Sequence, residues 1–161
     1  MLVTFFESIK YVGLQFPIAF LRIFVGYFFL NDALESLKNQ FLSHAFLAEQ
    51  IRDYLPKSPA PEWYKFFLET LMIPNWQIFA SFILISKFVI GISFIIGYLV
   101  RPASLLAIFL CFNLLWAIGR GPSELQGNLL IMVLFTLGWL GAGRCLGVDY
   151  YFYRKRRGIW W

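Results

Sequence analysis

The sequence predicts an all-α membrane protein, a four-transmembrane-helix bundle with short amphipathic interfacial helices in the first extracytoplasmic loop. Of the 161 residues, 60% are hydrophobic and only 14% are charged. The mean hydropathy of +0.67 lies far above that of a soluble globular domain. The apolar residues fall into four long runs that lack the alternation of barrel strands. Lipid offers no partners to open backbone groups, so these runs must be helices.

The four apolar runs cover residues 17–37, 78–100, 102–118 and 128–146. At about 1.5 Å per residue, each reaches most or all of the way across a hydrocarbon core of about 30 Å. The first 30 residues lack the cationic start and the cleavage site of a signal peptide, so we expect the first helix to be retained. Small residues within the runs predict closely packed helices. They are Gly26, Gly91, Gly97, Ala103, Ala107, Gly138 and Ala142.

Residues 38–75 form the only sizeable segment outside the apolar runs. Three prolines divide this segment into two amphipathic stretches, 41–55 and 62–72. The second stretch is rich in the aromatic residues that favour the headgroup zone of a membrane. We therefore predict two short helices that lie on the outer face of the membrane.

Positive charges set the predicted orientation. Arg144 lies near the end of the last run, and Arg101 lies in the short turn between the second and third runs. The positive-inside rule therefore predicts that both termini are inside, N-in and C-in. We expect a multi-pass protein of the cell inner (cytoplasmic) membrane. Arg22 joins these two arginines in a belt of long side chains that should reach towards water. A C-terminal cluster should contact anionic lipid headgroups rather than nucleic acid, and it consists of Arg154, Lys155, Arg156 and Arg157.

Three polar side chains share one depth inside the predicted bundle. Counted from the cytoplasmic helix ends, Asp32, Lys87 and Asn113 lie at roughly 22, 20 and 16 Å. A lysine at that depth needs a partner, and Asp32 or Glu35 is the nearest by depth. With the short outer loop, these residues make a candidate polar pocket. Its members are Asp32, Glu35, Lys87, Asn113, Arg120, Glu124, Gln126 and Asn128.

The candidate pocket has two interpretations. In the functional one, it holds a quinone headgroup or another small polar ligand, with Lys87 as hydrogen-bond donor and Asp32 or Glu35 exchanging protons. In the structural one, Lys87 and Asp32 form an ion pair that fixes the register of two helices. The sequence leaves both open.

Motifs for metal, thiol and nucleotide chemistry are absent from the sequence. Cys111 and Cys145 form no C-x-x-C motif, which argues against a thiol relay. His44 is the only histidine, which excludes a bis-histidine haem and a histidine-rich metal centre. Phosphate-binding and dinucleotide fingerprints are missing too. We therefore expect no metal and no covalently bound cofactor, and any redox role would use a quinone, a lipid or a partner subunit.

Three stretches carry short motifs, at 21–37, 90–107 and 141–152. They read LRIFVGYFFLNDALESL, IGISFIIGYLVRPASLLA and GAGRCLGVDYYF. In this order, spacing and helical context they resemble the DoxX/DoxD family of small four-helix membrane proteins, over nearly the whole chain. The residues that carry the resemblance are Arg22, Gly26, Glu35, Gly97, Arg101, Gly141, Gly143, Arg144 and Asp149.

Two places depart from the pattern of that family. Its first helix usually has a glycine and then a lysine in the stretch where this chain has Asp32 and Ser36. A carboxylate is common where Lys87 stands. A family site at these positions would be rearranged or lost in this chain.

The resemblance implies a single transmembrane domain over residues 1–161 and a link to redox metabolism. DoxD-like members are named as a subunit of a thiosulfate:quinone oxidoreductase, and other members are associated with oxidant-defence complexes. Two roles stay open: an accessory subunit that anchors or stabilises partner subunits of a larger membrane complex, and a quinone-binding subunit of the oxidoreductase. A small-solute carrier is disfavoured because no pair of discontinuous helices is visible. Whether the chain is an enzyme cannot follow from fold analogy.

Overall fold

The computed structural model describes residues 2–39, 41–42, 46–58, 60–118, 122–144 and 149. This part of the chain is helical and contains no strand, which confirms the predicted all-α class. The α-helices are α1 (Leu2–Lys38), α2 (Phe46–Tyr54), α3 (Glu62–Phe67), α4 (Trp76–Ile96), α5 (Val100–Ile118) and α6 (Pro122–Leu140).

In the part of the chain that the structure describes, two helices are long and apolar enough to cross a bilayer, judged by length and composition. They are the stretch Phe16–Lys38 of α1 and the whole of α4. α5 and α6 contain shorter apolar stretches, Val100–Trp116 and Leu125–Leu140. Large apolar side chains are exposed on all four helices, as is typical of a surface that faces lipid. Crossing of the membrane by all four helices stays a prediction.

The helix boundaries differ from the apolar runs because glycines end two of the helices. Gly97 has a left-handed backbone with φ of 72°, and its N–H donates to the Ser93 carbonyl at 2.8 Å. This C-cap ends α4 at Ile96, four residues before the end of the run. α6 begins at Pro122 and ends at Leu140, next to Gly141, whose φ is also positive. The last helix is thus shifted towards the N-terminus relative to the run 128–146.

The four long helices pack in the order α1, α4, α5 and α6. α1 packs mainly on α4, and α6 mainly on α5, while α4 and α5 join the two pairs. We call the end of the bundle with the turn 97–99 the inner end, and the opposite end the outer end. The main apolar core lies towards the inner end. It consists of Val25, Phe29, Ile90, Phe94, Val100, Ala103, Ala107, Leu134, Leu137 and Ala142.

Small residues allow two close helix approaches. A Cβ on Gly26 of α1 would lie 2.9 Å from the Phe94 Cβ and 3.0 Å from the Gly91 carbonyl of α4. A Cβ on Gly138 of α6 would collide with the Ser104 side chain of α5. The predicted close packing at small residues is therefore confirmed at both helix pairs.

The two predicted short helices are present and pack on the outer ends of α4 and α5. α2 continues into a 3-10 turn (Leu55–Lys57), and α3 continues into a π-helical turn (Leu68–Met72). Ser58 Oγ donates to the Trp116 carbonyl at 2.6 Å and ties this segment to α5. A second apolar cluster forms there from Leu47, Ile51, Leu55, Tyr64, Leu68 and Ala80. The position of the segment on a membrane surface stays a prediction.

Candidate functional site

An ion pair joins α1 to α4 in the middle of the α4 helix. Lys87 Nζ lies 2.7 Å from Asp32 Oδ2 and donates a longer hydrogen bond, 3.4 Å, to Ser36 Oγ. Ser36 Oγ in turn donates to the Asp32 carbonyl at 2.8 Å. The prediction that Lys87 pairs with a carboxylate of its own depth is confirmed, and the partner is Asp32. Counting residues succeeds here because the rise of a helix is constant.

The two side chains of the ion pair are partly exposed, unlike the core residues of the same helices. Val25 and Phe29 face the core from α1 and are each 4% exposed. Asp32 lies one turn beyond Phe29 on the same side, yet its side chain is 45% exposed, against 22% for Lys87. None of the described side chains of α5 after Ala107 is buried. The described side chains of α5 are therefore covered at the inner end and only partly covered in the outer half.

Asn113 takes no part in this ion pair and contacts the short helix α3 instead. Tyr64 of α3 donates its hydroxyl to Asn113 Oδ1 at 3.2 Å, and Asn113 Nδ2 donates to the Phe109 carbonyl at 2.7 Å. The Tyr64 ring also makes an edge contact with Trp116. Burial raises the pKa of the Tyr64 phenol above its ordinary value. The sequence marks Tyr64 only as one of the aromatic residues of the stretch 62–72, because nothing local indicates its contact with a distant helix.

No contact with the ion pair is recorded for the other predicted members whose side chains the structure describes, which are Glu35, Gln126 and Asn128. Glu35 and Asn128 are exposed on α1 and α6. For Glu124 the structure describes only its place in α6, and Arg120 lies outside the described residues. The structure thus assembles Asp32, Lys87 and Ser36, which we call the outer ion-pair site.

Arg22 does not reach water as predicted. Its side chain is fully buried, and Nη1 donates to the Ala142 carbonyl at 2.8 Å. The prediction is wrong because the turn 142–144 packs against α1 and offers the guanidinium an acceptor inside the protein. Arg101 is partly buried, and for Arg144 only the backbone is described. The C-terminal cluster Arg154, Lys155, Arg156 and Arg157 lies outside the described residues.

Asp149 caps the first turn of α5 from fifty residues away along the chain. Its carboxylate accepts the Leu99 N–H at 2.9 Å and the Val100 N–H at 3.3 Å. Its own N–H donates to the Gly97 carbonyl at 3.0 Å. The cap also supports Leu99, which has a positive φ of 54° that is costly for a leucine. Gly143 leaves room for this carboxylate, since a Cβ there would collide with it.

Two further features of the described residues concern ligands. No group of three His, Cys, Asp or Glu side chains in that part of the chain is placed to hold a metal ion. An open groove between α2 and α3 is lined by Arg52, Lys65 and Glu69 together with apolar neighbours. The outer ion-pair site therefore stays the best candidate for a ligand.

A family model described as "TQO small subunit DoxD" matches residues 16–160. The comparisons with curated proteins and with solved structures gave no match.

Proposed function

The chain belongs to the DoxD family, and from this premise we propose that it is the small membrane subunit of a thiosulfate:quinone oxidoreductase. Its apolar helices and its family mark it as a membrane protein. In the proposed role it anchors and stabilises partner subunits within the bilayer. The observation that carries this role is the outward face of α6.

α6 offers a continuous exposed face to a neighbour. It packs mainly on α5 and on the turn that follows it. The opposite face is exposed at a spacing of four and three residues, the repeat of a helix-packing seam. The seam consists of Leu125, Leu129, Met132, Thr136 and Trp139. We propose that a transmembrane helix of a partner subunit packs along this seam, which we call the α6 seam.

The anchoring role is tested by enlarging two side chains of the α6 seam. The native complex is solubilised in mild detergent and resolved by native electrophoresis and mass spectrometry. We expect Leu129→Trp with Met132→Trp to separate the chain from its partner subunits, because bulky rings prevent close helix approach. Leu105→Trp, on an equally exposed face of α5, is the matched control and should leave the complex intact. A seam variant that migrates with its partners, or a wild-type chain that purifies alone, contradicts the role.

A second role, holding the quinone headgroup, is supported by the outer ion-pair site. A lysine ammonium has three N–H donors, and Asp32 and Ser36 accept two of those of Lys87. The third donor suits the carbonyl oxygen of a quinone that reaches the partly exposed Lys87 from the bilayer. Asp32 would then serve as the neighbouring group that exchanges a proton.

The quinone role is tested by extracting lipids from the purified complex and measuring the bound quinone. We expect Asp32→Asn with Lys87→Leu to lose the quinone, while the complex still assembles. Ser81→Ala is the control on the same helix, since Ser81 bonds only to its own helix at the Gln77 carbonyl. Unchanged quinone in the double variant contradicts this role and leaves the anchoring role standing.

A further inference from the structure

The short helix α3 has two apolar faces, and only one of them packs on the protein. Tyr64 and Leu68 are buried against α4 and α5. On another side, Trp63 and Phe66 are 65% and 68% exposed. Phe67 and Leu71 continue this exposed face through the π-helical turn. Four large apolar side chains in one stripe require a cover other than water.

α2 differs from α3 in this respect. Its buried residues are apolar, with Leu47 and Ile51 in the outer apolar cluster. Its exposed residues are mainly polar and charged, among them Glu49, Arg52 and Asp53. Among the side chains of α2 that the structure describes, the apolar face is therefore used by the bundle itself.

The position of α3 along the bundle indicates what covers its exposed stripe. The Trp63 ring contacts the Trp116 ring near the end of α5, with 6.2 Å between centroids. The Phe67 ring contacts Phe79, which lies in the first turn of α4. α3 thus lies beside the outer ends of two long apolar helices, where the headgroup zone begins. Tryptophan and other aromatic rings favour that zone.

The apolar stretch of α5 is short for a helix that crosses a bilayer, and the exposed stripe of α3 lies beside its outer end. Its apolar stretch Val100–Trp116 reaches only about 25 Å at 1.5 Å per residue, which is less than a hydrocarbon core of about 30 Å. α3 adds apolar surface beside the outer end of α5. The polar face of α3, with Glu62, Lys65 and Glu69, is left for the aqueous side.

We propose that α3 is embedded in the outer leaflet of the bilayer, with the stripe Trp63, Phe66, Phe67 and Leu71 in contact with lipid chains. There it extends the short hydrophobic surface of α5, while α2 stays above the lipid on the water side. The occupant of the stripe is lipid and not a protein partner. This inference does not depend on the proposed function, because it concerns the outer segment and not α6 or the ion pair.

The test places spin labels on α3 and α2 of the full chain in lipid nanodiscs. Cys111 and Cys145 are replaced by alanine, and labels are attached to Phe66→Cys or, as matched control, Asp53→Cys. We expect the label at 66 to meet oxygen more readily than a water-soluble nickel chelate, at a depth of about 5–10 Å below the headgroup boundary. The label at 53 should show the opposite preference. Phe109→Cys, on the exposed face of α5, marks the lipid interior.

Two outcomes overturn the proposal. A label at 66 that meets the nickel chelate as freely as the label at 53 places the stripe in water. A label at 66 shielded from both reagents, in the chain alone or in its complex, places the stripe against protein. Trp63→Cys repeats the measurement on the same stripe, so that a folding defect of one variant does not decide the result.

Discussion

The inner end and the outer half of the bundle differ in the burial and in the bonding partners of their charged side chains. At the inner end, Arg22 and Asp149 are buried and bond to backbone groups of distant segments. In the outer half, Asp32 and Lys87 bond mainly to each other and remain partly exposed. Both pairs of residues are charged, yet only the outer ones can meet a molecule from outside.

This difference separates charged groups that hold the fold from charged groups that a ligand can reach. A buried charged group that bonds the backbone holds the fold, because its removal leaves the backbone groups without partners. A partly exposed ion pair contributes less to stability, and its atoms stay within reach of a ligand. The following substitutions test this contrast in order of expected effect on stability.

The largest effect is expected at Asp149. In Asp149→Ala, the N–H groups of Leu99 and Val100 lose a charged acceptor inside the protein. We expect the free energy of unfolding to fall by about 2–5 kcal/mol. Thermal unfolding in detergent measures the loss, with Asp53→Ala, an exposed carboxylate of α2, as control. Equal unfolding temperatures for the two variants would mean that the inner end does not hold the fold.

A smaller loss is expected when a methyl group is added to Gly143. The new Cβ would collide with the Asp149 carboxylate and push it from its cap. We expect Gly143→Ala to cost about 1–3 kcal/mol, as overpacking does in other protein interiors. Gly127→Ala is the control from the outer half, where the added Cβ meets only the flexible end of Leu115. Both variants are compared by thermal unfolding, and a larger loss at Gly127 would reverse the contrast.

Breaking the outer ion pair should lower the free energy of unfolding less than the two changes above. A second substitution should recover most of that loss. Lys87→Leu leaves Asp32 without its cation, but that carboxylate is partly exposed, so we expect a loss of about 1–2 kcal/mol. Adding Asp32→Asn should recover most of the loss, because no lone charge remains. A double-mutant cycle on thermal unfolding measures the coupling. A loss as large as that of Asp149→Ala would show that the outer half is as tightly organised as the inner end.

The smallest effect is expected at Tyr64, and it depends on pH. Tyr64→Phe removes the hydrogen bond to Asn113 and should cost about 1 kcal/mol near neutral pH. Burial raises the pKa of Tyr64, so the neutral phenol is favoured in the folded chain. Its contribution is therefore complete below about pH 10, the unfolded value, and is lost as the pH rises through the folded pKa. We expect the wild type to lose more stability than Tyr64→Phe between pH 8 and alkaline pH.

Thermal unfolding at the two pH values measures this difference, with the exposed Tyr54→Phe as control. An alkaline loss that is the same in wild type and Tyr64→Phe would mean that burial of this phenol has no thermodynamic role.

Features that depend on spacing along one helix were predictable. Counting residues at a constant rise predicted that Lys87 pairs with Asp32 or Glu35, and the structure shows the pair with Asp32. The two short outer helices followed from their amphipathic stretches. The end of α4 at Ile96 was less predictable, because the apolar run continues through the glycine cap. Apolar composition reports a favourable environment for a segment and carries no signal for a change of direction within it.

Contacts between distant segments were not predictable from local pattern. Arg22 matched the expectation for a side chain that reaches water, yet the turn 142–144 supplies a carbonyl that keeps it inside. Likewise, nothing in the sequence distinguishes Tyr64 from the neighbouring aromatic residues, yet its hydroxyl donates a hydrogen bond to Asn113.

The sequence by itself determined the helical class, the membrane character and the family, because composition, run length and short motifs are properties of the chain. The tertiary structure alone decided which charges are buried and which remain available. The physical reason is that burial depends on what packs against a side chain. At the inner end a turn and Asp149 close over the helices, whereas in the outer half α1, α5 and α6 leave the Asp32–Lys87 pair partly uncovered.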